Sequence, residues 1–246
     1  MKSGYKERFW EIDFIRGIAI IMVIFFHILI DLNFFNIYKI NVFSGVTLPI
    51  AYTVATTFLL LVGMSLTLKF SKIKYTPSKK GERLKIILRG LEIFGIGLLI
   101  TLVTWLYLGE GFIIFGVLHC IGISIIFSIP FLTFRVQNLI LGLVFIFLGL
   151  ILKTFTVDFY WLAWLGFKPA TFYTVDYYPL LPWFGVVLIG IFLGNSLYPE
   201  GKRRYAVKDR STVKIVSFSC FLGRHTLIIY LIHQPIIVGL IYILFL

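Results

Sequence analysis

The chain has 246 residues, 59% of them apolar and only 14% charged, with a formal net charge of +12. Soluble domains are roughly half apolar and a quarter charged, so this composition excludes a water-soluble globule. It predicts an all-α, polytopic transmembrane helical bundle forming a single domain over residues 1–246.

Seven long apolar segments succeed one another near residues 10–31, 45–69, 85–108, 112–133, 137–153, 179–198 and 222–246. Most are long enough to cross a hydrocarbon core of about 30 Å; the fifth is short. The first is too long, and the remainder too hydrophobic, for a cleaved signal peptide to account for it. With about seven spans and a cytoplasmic N-terminus, Lys2, Lys6, Arg8 and Arg16 fall on the inner side. So do the basic residues from Lys69 to Arg89, Arg135, and those from Lys202 to Arg224. Of the 23 basic residues, only Lys39, Lys153 and Lys168 then fall outside. That bias is what orients a multi-pass protein in the cell membrane. It reads the positive charge as topological and lipid-facing, or as a hold for a phosphate-bearing ligand at the inner face, and not as a nucleic-acid surface.

The first segment carries charge where a membrane helix normally forbids it. Arg16 and His27 are eleven positions apart, close to three helical turns, so they share one face about 16 Å apart along the axis. An ionisable group at membrane depth costs several kcal/mol unless it faces a protein interior or a wet cavity. Two on one stripe therefore predict a polar path through the bundle. Asp31 lies one turn beyond His27, at the spacing of a base and the carboxylate that orients it.

Gly95-Ile96-Gly97, inside the third segment, is a helix-packing feature. The fourth segment places His119 beside Cys120, about two turns below its outer end. Cys120 and Cys220 are expected near opposite faces of the bilayer, which argues against a disulfide between them. No zinc-site spacing and no phosphate-binding glycine loop occurs, so no metal is expected. Between the fifth and sixth segments, residues 155–178 are dense in Phe, Tyr and Trp. They suit an aromatic belt at the membrane surface or a lid over a cavity. Pro179 and Pro182 predict a break at the mouth of the sixth segment, just before Trp183. In the last segment His233 sits near mid-membrane, followed by Gln234 and Pro235. His225 lies beside Arg224 at the inner border.

Asp13-x-x-Arg16-Gly17 with His27-x-x-x-Asp31 resembles the opening of the DUF1624 group, which belongs with the catalytic domain of heparan-α-glucosaminide N-acetyltransferase. The Arg16-to-His27 spacing is also similar to the first helix of the acyltransferase-3 membrane O-acyltransferases. The likeness continues in Phe115-Gly116-Val117-Leu118-His119-Cys120-Ile121-Gly122, in Asp176–Gly185, in Leu222–Thr226 and in Tyr230–Pro235. It implies transfer of an acyl group, acetyl or another, from cytosolic acyl-CoA to a hydroxyl or amine on the outer side. The acceptor would be a small sugar, a lipid-linked glycan or a surface polymer unit. On that reading Asp13, Arg16, Arg89, Arg204 and Arg224 form the cofactor-binding set, with the arginines on the coenzyme A phosphates. His27 serves as general base or acyl carrier, oriented by Asp31. His119 and His233 polarise the carbonyl or stabilise the oxyanion, and Trp183 and Gln234 contact the acceptor. Membrane lipids are partners, and there is room for a homo-oligomer. The same polar stripe would also serve a transporter or flippase that performs no covalent chemistry.

Overall fold

The computed structural model describes residues 8–39, 47–73 and 79–245. The inner-side cations Lys2, Lys6 and Lys74, and the start of the second predicted segment, lie outside the described residues. Eight α-helices occur among the described residues: α1 (Trp10–Phe34), α2 (Thr47–Ile73), α3 (Lys79–Leu108), α4 (Val117–Phe127), α5 (Val136–Leu152), α6 (Leu180–Leu197), α7 (Lys214–Arg224) and α8 (Thr226–Phe245). Five of them (α1, α2, α3, α6 and α8) are long and apolar enough to cross a membrane.

The two remaining apolar segments form shorter helices for identifiable reasons. α4 begins only after Gly116, whose backbone is extended, and gives way to a 3-10 turn at Ile129–Phe131 carrying Pro130. It is thus 11 residues long, and α5 is 17. The last predicted segment also differs from expectation. It starts within α7, and the chain bends at His225 before α8 resumes.

The chain forms two compact units. One comprises residues up to Phe58 together with Val207–Leu246; the other is Leu59–Ala206. α2 contributes to both. In the first unit, Ile20, Val23 and Val54 are buried together, with Leu222, Ile229 and Tyr230 packed on them. α8 lies along α1, setting His233 against His27 and Tyr242 against Phe35. α7 meets α1 through small residues: Gly17 abuts the Ser219 carbonyl and Gly223 abuts the Asp13 carbonyl.

The second unit is also held by close backbone approach. Gly142 and Gly185 bring α5 onto α6, and Gly90 and Gly122 bring α3 onto α4. Small residues suit such contacts in lipid, where apolar burial between helices offers little driving force. Asn138 is fully buried, and its Nδ2 donates to the carbonyls of Phe131 and Phe134, both at 2.8 Å, tying α5 to the turn after α4. Two short parallel strands, β1 (Thr156–Val157) and β2 (Lys168–Pro169), brace the loop before α6. The break predicted at Pro179 and Pro182 is present. Pro179 is extended, Leu181 is non-helical, and the Leu181–Pro182 bond is cis.

An added methyl at Gly17 would collide with the Ser219 backbone, whereas at Gly95 it would meet nothing within 4 Å. Gly17→Ala should therefore cost about 2 kcal/mol or more and lower the Tm by several degrees. Gly95→Ala should stay within about 1 kcal/mol of the parent. Thermal unfolding of the two detergent-purified variants checks the contrast.

Candidate functional site

α1 and α8 present the buried ionisable groups of the first unit, Asp13, Asp31 and His233, and α7 adds the buried Ser219. The eleven-residue spacing holds within one unbroken helix, so Arg16 and His27 do share a face of α1. At its N-terminal end, Asp13 is buried and accepts from two guanidinium groups, Arg8 at 2.8 Å and Arg16 at 3.3 Å. Acidic residues in a first turn also suit the helix dipole. Arg224 ends α7, next to the Gly223 that packs on Asp13.

Toward the other end of α1, the expected contact between His27 and Asp31 is replaced by an arrangement with Gln234. The buried Asp31 carboxylate accepts from Gln234 Nε2 with both oxygens, at 2.8 and 2.9 Å. The amide of Gln234 interacts with the His27 ring, while its Oε1 has no partner within strict hydrogen-bond geometry. His27 and His233 meet edge-on with ring centroids 4.8 Å apart. His233 is buried, and its Nδ1 lies 2.6 Å from the Tyr230 carbonyl. A carbonyl can only accept, so Nδ1 carries the proton and Nε2 presents its lone pair. That Nε2 is buried and has no partner. A buried acceptor left unpaired costs on the order of 1–3 kcal/mol, which is why such atoms are rare in folded proteins. Among the described residues four buried side-chain atoms are orphaned in this way, and His233 Nε2 and Gln234 Oε1 are two of them, on consecutive residues.

The second unit treats its histidine in the opposite manner. The N–H of Gly116 donates to His119 Nδ1 at 3.2 Å, which leaves the proton on Nε2. Nε2 lies 3.3 Å from Thr101 Oγ1, and that hydroxyl donates to the Ile113 carbonyl at 2.7 Å. Gly97 makes room for the ring, since a Cβ there would stand 3.0 Å from Nδ1. Both nitrogens of His119 are thus engaged in joining α3 to the start of α4. A role on an oxyanion would require Nε2–H to exchange its Thr101 partner for substrate.

Asp176, singled out only as part of a motif, supplies the other half of this cap: its Oδ2 accepts from the Val117 N–H at 3.1 Å. The surrounding strand of loop follows the α3–α4 link through Val175 N–H to the Gly111 carbonyl and Tyr178 N–H to the Phe115 carbonyl, both 2.9 Å. Trp183 is buried against Tyr178, within the packing at the head of α6. Arg89 pairs with Glu92 at 2.8 Å on an exposed face of α3, and Arg204 lies over Tyr205. Asp13, Arg16 and Arg224 thus belong to the first unit, and Arg89 and Arg204 to the second. No group of three or more His, Cys, Asp or Glu able to hold a metal occurs among the described residues.

Comparison with protein-family models matches residues 8–235 to the family described as heparan-alpha-glucosaminide N-acetyltransferase, catalytic. No curated protein and no solved structure matches the chain.

Burial pushes the Asp176 carboxyl up from 3.8 to about 6, a rise only partly offset by the Val117 N–H. A carboxyl raised in this way stabilises the fold fully below about pH 4 and loses that contribution as pH rises through about 6. Asn at this position keeps an oxygen for the Val117 N–H but does not ionise. The Tm of the parent should accordingly fall between pH 5 and pH 7.5 by a few degrees more than that of Asp176→Asn, as measured by paired melts at the two pH values.

Proposed function

The chain belongs to the heparan-alpha-glucosaminide N-acetyltransferase catalytic family, and on that premise we propose that it moves an acetyl group from acetyl-CoA to a hydroxyl or amine across the membrane. The acceptor in this reading is a small sugar or a lipid-linked glycan. The observation that carries it is the unpaired, buried Nε2 of His233, set against His27 and beside the Gln234–Asp31 pair. A lone pair held ready and shielded from water is what a general base needs.

In the reaction, the acceptor oxygen or nitrogen attacks the thioester carbonyl. A new C–O or C–N bond forms, the C–S bond breaks, and His233 Nε2 takes the acceptor's proton and returns it to the departing thiolate. The Tyr230 carbonyl holds His233 in the required tautomer and stabilises the imidazolium that forms. His27 lines the same space and orients the acceptor. Gln234, fixed by two bonds to Asp31, presents Oε1 to a second hydroxyl or amine hydrogen. This assigns the base to His233 and a positioning part to Asp31, while His119 stays in the α3–α4 junction where its nitrogens are already engaged.

Arg16 and Arg224 receive the coenzyme A phosphates at the N-terminal end of α1, with Asp13 setting the Arg16 guanidinium. The two compact units act as one catalytic domain, a reading supported by a family match that runs through both. Counting α4 and α5 as shorter crossings restores seven spans with the N-terminus inside, the arrangement that the placement of Lys and Arg favours.

The test is coenzyme A release from acetyl-CoA by the purified protein against a panel of amino sugars and neutral sugars. His233→Ala should lower kcat about 100-fold or more while the protein stays folded, and Arg16→Ala should act mainly on the KM for acetyl-CoA. Full turnover in a folded His233→Ala protein would remove His233 as the base. A saturating acetyl-CoA concentration that leaves the Tm of the parent unchanged would remove the donor site.

A further inference from the structure

α7 does not run along α1 but crosses it. Cys220 Sγ donates to the Trp10 carbonyl at 3.3 Å, while its neighbour Ser219 abuts Gly17. Adjacent residues of α7 therefore meet positions seven apart on α1, about 10 Å of rise, which requires a steep crossing angle. α1 is long enough to span the membrane, so a helix crossing it steeply at its N-terminal end lies close to the membrane plane. With 11 residues, or about 16 Å, α7 is too short to span on its own.

The faces of α7 suit that position. At 100° per residue, Val216, Ser219, Cys220 and Gly223 point to α1 and are buried. One flank carries Ile215, Phe218 and Leu222, with Ile215 75% and Phe218 60% exposed. Leu222 on that flank packs on Ile20 and Val23, which lie further along α1 than Asp13 and Gly17. The apolar flank thus faces the membrane interior. The other side carries the exposed Ser217, Phe221 and Arg224, with Lys214 at the back of the helix, about 40° from Phe218. Lys208 and Arg210 are exposed just before the helix. Asp13 is paired with Arg8 and Arg16, and the run from Lys208 to Lys214, which includes the acid Asp209, keeps a net charge of +2.

We propose that α7 is an in-plane helix at the membrane–water boundary, its Ile215–Phe218–Leu222 flank seated among lipid acyl chains and its Lys208, Arg210 and Lys214 cations bound to the phosphates of anionic phospholipid. An amphipathic helix with cations along its wet edge binds such a surface through both terms at once. Occupancy of this surface is independent of acyl transfer.

Two measurements on the full chain test it. Ser217→Cys and Phe218→Cys place neighbouring thiols on the two flanks, and Ile215→Cys repeats the apolar position; Cys120 and Cys220 are buried, and the parent protein reports their background. In nanodiscs of phosphatidylcholine and phosphatidylglycerol, a water-soluble maleimide should label the Ser217→Cys variant at least tenfold faster than the Ile215→Cys and Phe218→Cys variants, with the difference abolished in denaturing detergent. Equal rates in the folded, bilayer-embedded protein would overturn the in-plane placement. Separately, phosphatidylglycerol added to the detergent-solubilised protein should raise the Tm by several degrees more than phosphatidylcholine, and a Lys208→Ala, Arg210→Ala, Lys214→Ala variant should lose at least half of that increment. An equal response to both lipids, an undiminished response in the variant, or an equal shift from inorganic phosphate alone would overturn the anionic-lipid assignment.

Discussion

In a hydrocarbon surround, each polar group on a helix must be satisfied by the protein itself, because no water is at hand to do it. Much of the internal architecture follows from that constraint. Asn138 donates its amide hydrogens to two carbonyls at the turn after α4, and Ser128 donates back to the Ile125 carbonyl. The Asp31 carboxylate is clasped by the amide of Gln234. Among the described residues four buried side-chain atoms escape such pairing, Asn138 Oδ1 and Trp10 Nε1 among them. Two of the orphaned atoms sit on His233 and Gln234, in one turn of α8, beside another imidazole.

Helix association in the same surround depends on how closely backbones can approach. Gly17 and Gly223 seat α7 across α1, while Gly142 and Gly185 do the same for α5 and α6. The first of these contacts has a consequence beyond stability. By letting α7 lie on α1 near Asp13, it puts Arg224 at the same end of the helix as Arg16, and it leaves the basic run from Lys208 to Lys214 on the outer edge. Packing and electrostatics in this unit are one arrangement.

His119 and His233 look alike at the level of one buried histidine in an apolar helix, yet their hydrogen bonds are opposite. At His119 the Gly116 N–H occupies Nδ1, and Thr101 engages Nε2, so the ring is a structural link. At His233 the Tyr230 carbonyl accepts from Nδ1, and Nε2 is left without a partner. The difference lies in whether the group one helical turn back offers a hydrogen or a lone pair. For His119 that group is the free N–H of a helix start. For His233, within a continuous helix, it is a carbonyl.

The membrane class, the family, the broken entry to α6 and the charged stripe of α1 were all legible in the order of residues. Hydropathy, proline position and helical spacing are local properties that add along the chain, and family motifs are themselves strings. Tertiary structure decided what local spacing could not. Asp31 is four residues from His27 but is held by Gln234, 203 positions away, because the packing of α8 on α1 sets which side chains meet. It also divided the last apolar segment at His225, with Gly17 and Gly223 giving the close backbone contacts that seat its first part against α1. The polar residues of the apolar helices were therefore readable from the sequence, while the unpaired state of His233 Nε2 depended on three-dimensional hydrogen bonding.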